Sequence, residues 1–203
     1  IARSAGPFNQ PTNVALSPEG DIFVTDGYGN ARVHRFSPAG DLLASWGEPG
    51  TGPGQFQLPH GIAIDSEGIL YVADRENSRI QLFDLDGAFI REWTGFQRPT
   101  QIFAATDGFL YVSELGWKAG VFPGLVKPPH ASGGRVAIVS PNGHVEARWG
   151  GGHSFCAPGD FYAPHDIWVT PDRAVYVSEV VKSSARYGEP VDPDCHILQK
   201  FQL

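Results

Sequence analysis

His60 and His165 each directly follow a proline and open an alternating apolar run: Pro59-His60-Gly61-Ile62-Ala63-Ile64 and Pro164-His165-Asp166-Ile167-Trp168-Val169. Neutral imidazoles delivered from equivalent positions of two modules can share one metal ion. A catalytic zinc takes three protein ligands and keeps one position open. Asp166, next to His165, offers an oxygen to calcium or a partner that orients its neighbour. A tyrosine and an arginine stand at matching places in Asp26-Gly27-Tyr28 and Asp74-Arg75-Glu76. The plainer alternative is that both histidines are ordinary loop residues.

These residues need a scaffold that brings them together, and an internal repeat provides one. Four segments align, each opening on a proline: Pro11, Pro59, Pro99 and Pro164. Gly20, Gly68 and Gly108 close the first turn of their units, and Gly40, Gly87 and Gly143 the second. Trp46, Trp93 and Trp149 end three units as packing residues. Short alternating runs such as Ile22-Phe23-Val24 and Val33-His34-Arg35-Phe36 have strand periodicity, and Ser17-Pro18-Glu19-Gly20 has hairpin chemistry. Four short strands in a unit of about 40 residues make a propeller blade, which buries its faces by stacking on its neighbours.

The expectation is an all-β chain of four-stranded blades at about 8–47, 55–95, 96–151 and 159–203, about four blades of a larger β-propeller. The last unit stops after its third strand. In such blades the lead-in to the inner strand and the loop between strands two and three share one face. His60, His165, Tyr28 and Arg75 are therefore expected at one channel mouth, where a small-molecule or peptide substrate would bind.

Several conspicuous residues read as structural. Asp26, Asp74, Glu114 and Glu179 share one repeat position and are expected to tie their loops through hydrogen bonds. Asn30-Ala31-Arg32 and Asn77-Ser78-Arg79 recur together as blade scaffolding. His34 and His144 are expected to be exposed on strands. His130 is a third-ligand candidate, and His153 and His196 flank the two cysteines.

Composition narrows the function classes. The chain has 203 residues, with 15 Lys and Arg against 22 Asp and Glu, a net charge of −7 that would repel a phosphate backbone and argues against nucleic acid. No apolar run reaches the roughly 18 residues of a spanning helix. With 25 glycines and 17 prolines, long helices are not expected. The chain begins at Ile1 and has no methionine, so it is expected to be a processed product or a fragment. Cys156 and Cys195 are either two unrelated thiols or one bridge pinning the 180–195 insertion. A bridge would point to an oxidising, extracellular or periplasmic compartment.

The repeats resemble NHL repeats. Thr25-Asp26-Gly27-Tyr28-Gly29-Asn30-Ala31-Arg32, then Leu58-Pro59-His60 and Ala73-Asp74-Arg75-Glu76-Asn77, are similar to the peptidyl-α-hydroxyglycine α-amidating lyases, whose domain is a six-bladed propeller with zinc at its centre. Glu114-Leu115-Gly116-Trp117 and the Cys156-Ala157-Pro158-Gly159-Asp160 loop look more like bacterial lyase-like NHL proteins. The resemblance implies that His60 and His165 are two of three zinc ligands, Tyr28 the catalytic base, Arg75 a substrate-binding residue and Asp166 part of a calcium site. It places the third histidine and a second arginine in the first two blades of the family's domain, which lie outside this chain. Ala163 stands where the family has a methionine, and Gly29, Tyr71 and Leu82 replace three of its cysteines. The implied reaction cleaves a carbinolamide to an amide and glyoxylate. The alternative is a non-catalytic scaffold binding a partner through loops 47–57, 116–134 and 180–195. A lactonase-like hydrolase would require acidic ligands around calcium.

Overall fold

Asparagine, threonine and aspartate at strand ends and glycine at hairpin corners cut this chain into short antiparallel meanders. The computed structural model describes residues 6–117, 132–184, 192 and 194–203. The first sheet holds β1 (Asn13–Leu16), β2 (Ile22–Asp26), β3 (Arg32–Phe36) and β4 (Leu42–Trp46). The second holds β5 (Pro59–Ile64), β6 (Leu70–Asp74), β7 (Arg79–Phe83) and β8 (Phe89–Trp93), with a 3-10 turn at Arg75–Asn77. The third holds β9 (Pro99–Ala104), β10 (Leu110–Glu114), β11 (Arg135–Val139) and β12 (Val145–Gly150). The fourth holds β13 (Pro164–Val169), β14 (Ala174–Glu179) and β15 (Leu198–Gln202), with one helical turn, α1 (Val181–Ser184), after β14. In every sheet the strands lie in chain order, which is the order of a propeller blade. The corners follow the sequence: Gly20 and Gly68 sit at φ +90° and +78°, a region open to glycine without a Cβ penalty.

The chain falls into two units, Ile1–Ile102 and Phe103–Leu203, with the boundary inside β9. The first has a core of Phe23, Val33, Phe56, Ile62, Leu70, Val72 and Phe83, with Trp46 packed against it. Phe23, Phe56 and Phe83 are fully buried, each contributing about 2 kcal/mol of transfer free energy. Trp46 lies edge-on to Phe23 at 6.3 Å and tilts on Phe83 at 6.1 Å, so the repeat-final tryptophan joins two successive sheets. The second unit repeats the device: Tyr111, Val136, Phe161, Ile167, Val175 and Val177 are its core, and Trp149 packs on Phe201 at 5.4 Å.

The acidic residue that ends each second strand is the main polar tie. Asp74 accepts from the Gln57 N–H at 2.7 Å, from Asn77 at 2.7 Å and from Arg79 Nε at 2.8 Å. Glu114 pairs with Arg135, and Glu179 accepts the N–H groups of Tyr162 and Ala163. Asp26 accepts from Asn9 and Asn30. The Asn-x-Arg repeat diverges at its arginine: Arg79 is buried on Asp74, whereas Arg32 is exposed.

His34 departs from expectation. It is 1% exposed, not on an open strand face. Phe8 stands edge-on to its ring at 5.5 Å, Nδ1 is 2.7 Å from the Ser45 hydroxyl, and Nε2 faces Asp26 at 3.6 Å. The segment before β1 covers a face that strand alternation alone would leave open. His144 is exposed, as expected. Cys156 and Cys195 form a disulfide across 39 residues, packed with Tyr162, Ala163 and Val181. His130 lies outside the described residues, as does much of loops 116–134 and 180–195.

Candidate functional site

In the first unit, chemistry-bearing side chains gather where the β2–β3 loop, the head of β5 and the 3-10 turn after β6 meet. Gly27 lies so close to the Pro59 carbonyl that a Cβ there would collide with it. Glycine therefore lets the loop carrying Tyr28 nest on β5. Thr12 donates its hydroxyl to the Pro59 carbonyl at 2.8 Å, and Thr25 donates to the His60 carbonyl at 2.8 Å. These two hydroxyls of the first blade pin the backbone beside His60.

The His60 ring is 3% exposed, and its Nδ1 lies 2.7 Å from the Thr100 carbonyl. A carbonyl only accepts, so Nδ1 carries the proton and Nε2 presents a lone pair. The Tyr28 hydroxyl donates to that nitrogen at 3.2 Å. β5 approaches β9 this closely because residue 61 is glycine: a Cβ there would stand 2.6 Å from the Thr100 oxygen. Tyr28 itself is 50% exposed, so its hydroxyl links a buried imidazole to an open face.

Arg75 enters from the 3-10 turn, whose N–H groups at Arg75 and Glu76 donate to the carbonyls of Leu58 and Gln57 at 3.2 and 3.0 Å. Ser78 closes the turn in the left-handed region at φ +54°. Arg75 Nη1 donates to the Tyr28 hydroxyl at 3.3 Å, and its guanidinium carbon is 5.5 Å from the centroid of that ring, in cation–π range. Tyr28, His60 and Arg75, which blade topology predicts at one end of their sheets, form one cluster.

Sequence reasoning missed Arg98. It is 2% exposed, and its Nε and Nη2 reach both oxygens of Glu76, at 3.0 and 2.7 Å. Glu76 also accepts from Arg75 Nε at 2.8 Å. Burial pushes the Arg98 pKa down, opposed by Glu76 and reinforced by neighbouring Arg75. The only sequence signal for it was a charged residue directly before the repeat proline Pro99.

In the second unit, His165 is half-buried at the head of β13, and its carbonyl accepts from the Ser113 hydroxyl at 3.5 Å. The preceding blade's β-strand hydroxyl thus anchors this histidine as Thr25 anchors His60. Asp166 is exposed, and its Oδ1 accepts the Ile167 N–H at 2.8 Å. Ala163 is buried, with its N–H on Glu179 at 3.0 Å. His196 Nε2 stands 3.0 Å from the other Glu179 oxygen. Burial pushes the Glu179 carboxyl up, partly offset by the two N–H donors. Among the described residues no group of three or more His, Cys, Asp and Glu could hold a metal by itself.

Comparison with known proteins adds sequence relationships to this geometry. The NHL repeat model matches residues 8–36 and 56–83. Over 185 residues the chain is 43% identical to peptidyl-glycine alpha-amidating monooxygenase B of Xenopus laevis, covering 85% of this chain and 19% of that protein. Over 194 residues it is 29% identical to peptidyl-alpha-hydroxyglycine alpha-amidating lyase 1 of Drosophila melanogaster, covering 87% of this chain and 34% of the relative. The chain spans between 12% and 19% of the length of the amidating monooxygenases it matches. Among solved structures, a gluconolactonase of Xanthomonas campestris superposes with a TM-score of 0.64 at 15% identity, over 97% of this chain and 59% of that one, which shows a shared fold.

Proposed function

The chain is an NHL-repeat β-propeller protein related in sequence to the amidating lyases, and we propose that it cleaves a peptidyl-α-hydroxyglycine or similar carbinolamide to an amide and glyoxylate. The contact of the Tyr28 hydroxyl with both His60 and Arg75 carries this reading.

The donor chemistry fits zinc. With Nδ1 held by a backbone carbonyl, His60 offers Nε2 in the tautomer that metal-binding histidines use. His60 and His165 would hold the ion, together with a ligand from outside the described residues. When bound, zinc polarises the oxygen of the carbinol. Asp166 is exposed and brings a single carboxylate, whereas calcium takes about six to eight oxygen ligands. The described residues therefore do not by themselves form a calcium site.

The chain's own residues account for the proton movements. With the His60 Nε2 lone pair given to the ion, that nitrogen no longer accepts from Tyr28; as the phenolate, its own proton released to water, Tyr28 would take the proton of the carbinol hydroxyl, and Arg75, donating to the same oxygen, would stabilise the negative charge there. The oxygen's electron pair forms the C=O bond of glyoxylate as the C–N bond breaks. The amide nitrogen leaves with that bonding pair and takes the proton back from Tyr28. Arg75 also presents a planar guanidinium suited to the carboxylate of such a substrate. Half-exposure of Tyr28 lets the substrate reach the proton acceptor without opening the core.

Metal analysis with site variants tests this reading. The protein is expected to hold about one zinc per chain, lost in His60→Ala and in His165→Ala while Tyr28→Phe retains it. Protein free of zinc after reconstitution, or full zinc in both histidine variants, would overturn the metal assignment.

A further inference from the structure

We propose that Arg98 preserves the positive field of Arg75 by satisfying the charge of Glu76, making it a positioning residue for an anionic substrate carboxylate. The inference rests on the site reading above and identifies the residue that keeps the site selective for an acid over its neutral ester.

Glu76 lies between two buried guanidiniums. Arg98 grips both of its oxygens, at 3.0 and 2.7 Å, in the two-pronged geometry in which a guanidinium matches a carboxylate best. Arg75 receives one contact, Nε to the Oε1 that Arg98 already shares, at 2.8 Å. Its Nη1 is directed instead to Tyr28 at 3.3 Å. The formal charges of Arg75, Glu76 and Arg98 sum to one positive charge, placed against the open ring of Tyr28. Without Arg98, Glu76 would turn both oxygens on Arg75, cancel its charge and draw it off Tyr28. Burial strengthens this effect, because the side chains of all three residues are no more than 8% exposed and screening by water is weak. The backbone supports the arrangement: Arg98 is held at φ +54°, an uncommon conformation for a non-glycine residue, at the turn that aims it at Glu76.

A packing role and a charge role give different results in one set of variants. Arg98→Met keeps the apolar stem and removes the fork. Glu76→Gln with Arg98→Met returns the local charge to one positive unit. Binding of N-benzoylglycine and of its methyl ester, neither of which has a carbinol to cleave, would be measured by calorimetry in the protein and both variants, with thermal melts confirming folding. The acid is expected to bind tighter than the ester in the protein. That preference should fall on the order of tenfold in Arg98→Met and largely return in the double variant. An unchanged acid-to-ester ratio in Arg98→Met, or no recovery in the double variant, would overturn the inference.

Turnover of N-benzoyl-α-hydroxyglycine separates this claim from the lyase reading. Without turnover, but with the acid preference lost and regained as described, the reaction is wrong and the charge role stands. Turnover with an acid preference indifferent to residue 98 leaves the reaction standing and the charge role wrong.

Discussion

Gly61→Ala should disable the site without touching any of its side chains. A Cβ at residue 61 would stand 2.6 Å from the Thr100 oxygen and 2.7 Å from the Gln101 Cα, both of them backbone atoms in β9. Ordinary contact begins at 3.4 Å, so β5 and β9 must separate by about 0.8 Å. That shift stretches the 2.7 Å bond from His60 Nδ1 to Thr100 to about 3.5 Å, the limit of a hydrogen bond. Overpacking of this kind costs about 1–3 kcal/mol and the lost bond about 1 more, for an expected total of about 2–4 kcal/mol. Urea unfolding measures the loss, and nitrogen-15 spectra of the imidazoles report whether His60 keeps its Nδ1 proton. Gly40→Ala is the control. It has nothing within 4 Å and φ +92°, so it should cost only backbone strain, about 1–2 kcal/mol, and leave His60 unchanged. A loss under about 0.5 kcal/mol in Gly61→Ala with an unaltered His60 signal would refute the claim that this close approach sets the tautomer.

Other expectations follow from the polar ties and the disulfide. Arg79→Met should cost about 3–5 kcal/mol in urea unfolding, because Asp74 would keep a buried charge without the guanidinium whose Nε it accepts from. Glu179 has its folded-state pKa raised by burial, so its contribution to stability is greatest below the unfolded carboxylate pKa and falls as pH rises through the folded value. Replacing it with Gln should remove that slope from unfolding data taken between about pH 4 and pH 7, and an opposite slope would contradict the assignment. Closing 39 residues with the Cys156–Cys195 bridge stabilises by at most about 4 kcal/mol, which the paired serine variant or reductant should remove in denaturation.

Much of the site was legible because blade topology is periodic. Once Pro59 and Pro164 marked inner strands, and Asp26 and Asp74 marked the ends of second strands, Tyr28, His60 and Arg75 had to lie at the same end of their sheets. Their mutual contacts in the first unit follow from that. The acidic residues at the repeat position were legible as ties for the same reason. Arg98 was not, since its role depends on Glu76, 22 residues earlier, and on a left-handed backbone that no local pattern announces. His34 was misjudged because strand alternation describes one sheet, whereas Phe8 covers the ring from the lead-in to β1. The divergence of Arg32 from Arg79 was not legible either, since both stand in the same Asn-x-Arg pattern and only Arg79 is buried on its blade's aspartate.

The central claim is that Tyr28, set between His60 and Arg75, accepts the proton of a carbinol whose C–N bond then breaks. Its most direct test is to incubate the zinc-loaded protein with N-benzoyl-α-hydroxyglycine and quantify benzamide and glyoxylate. Equal amounts of both, released well above the buffer rate and reduced at least about 100-fold in a folded Tyr28→Phe variant, are the expected result. Release no faster than in buffer, or undiminished release by Tyr28→Phe, would contradict it.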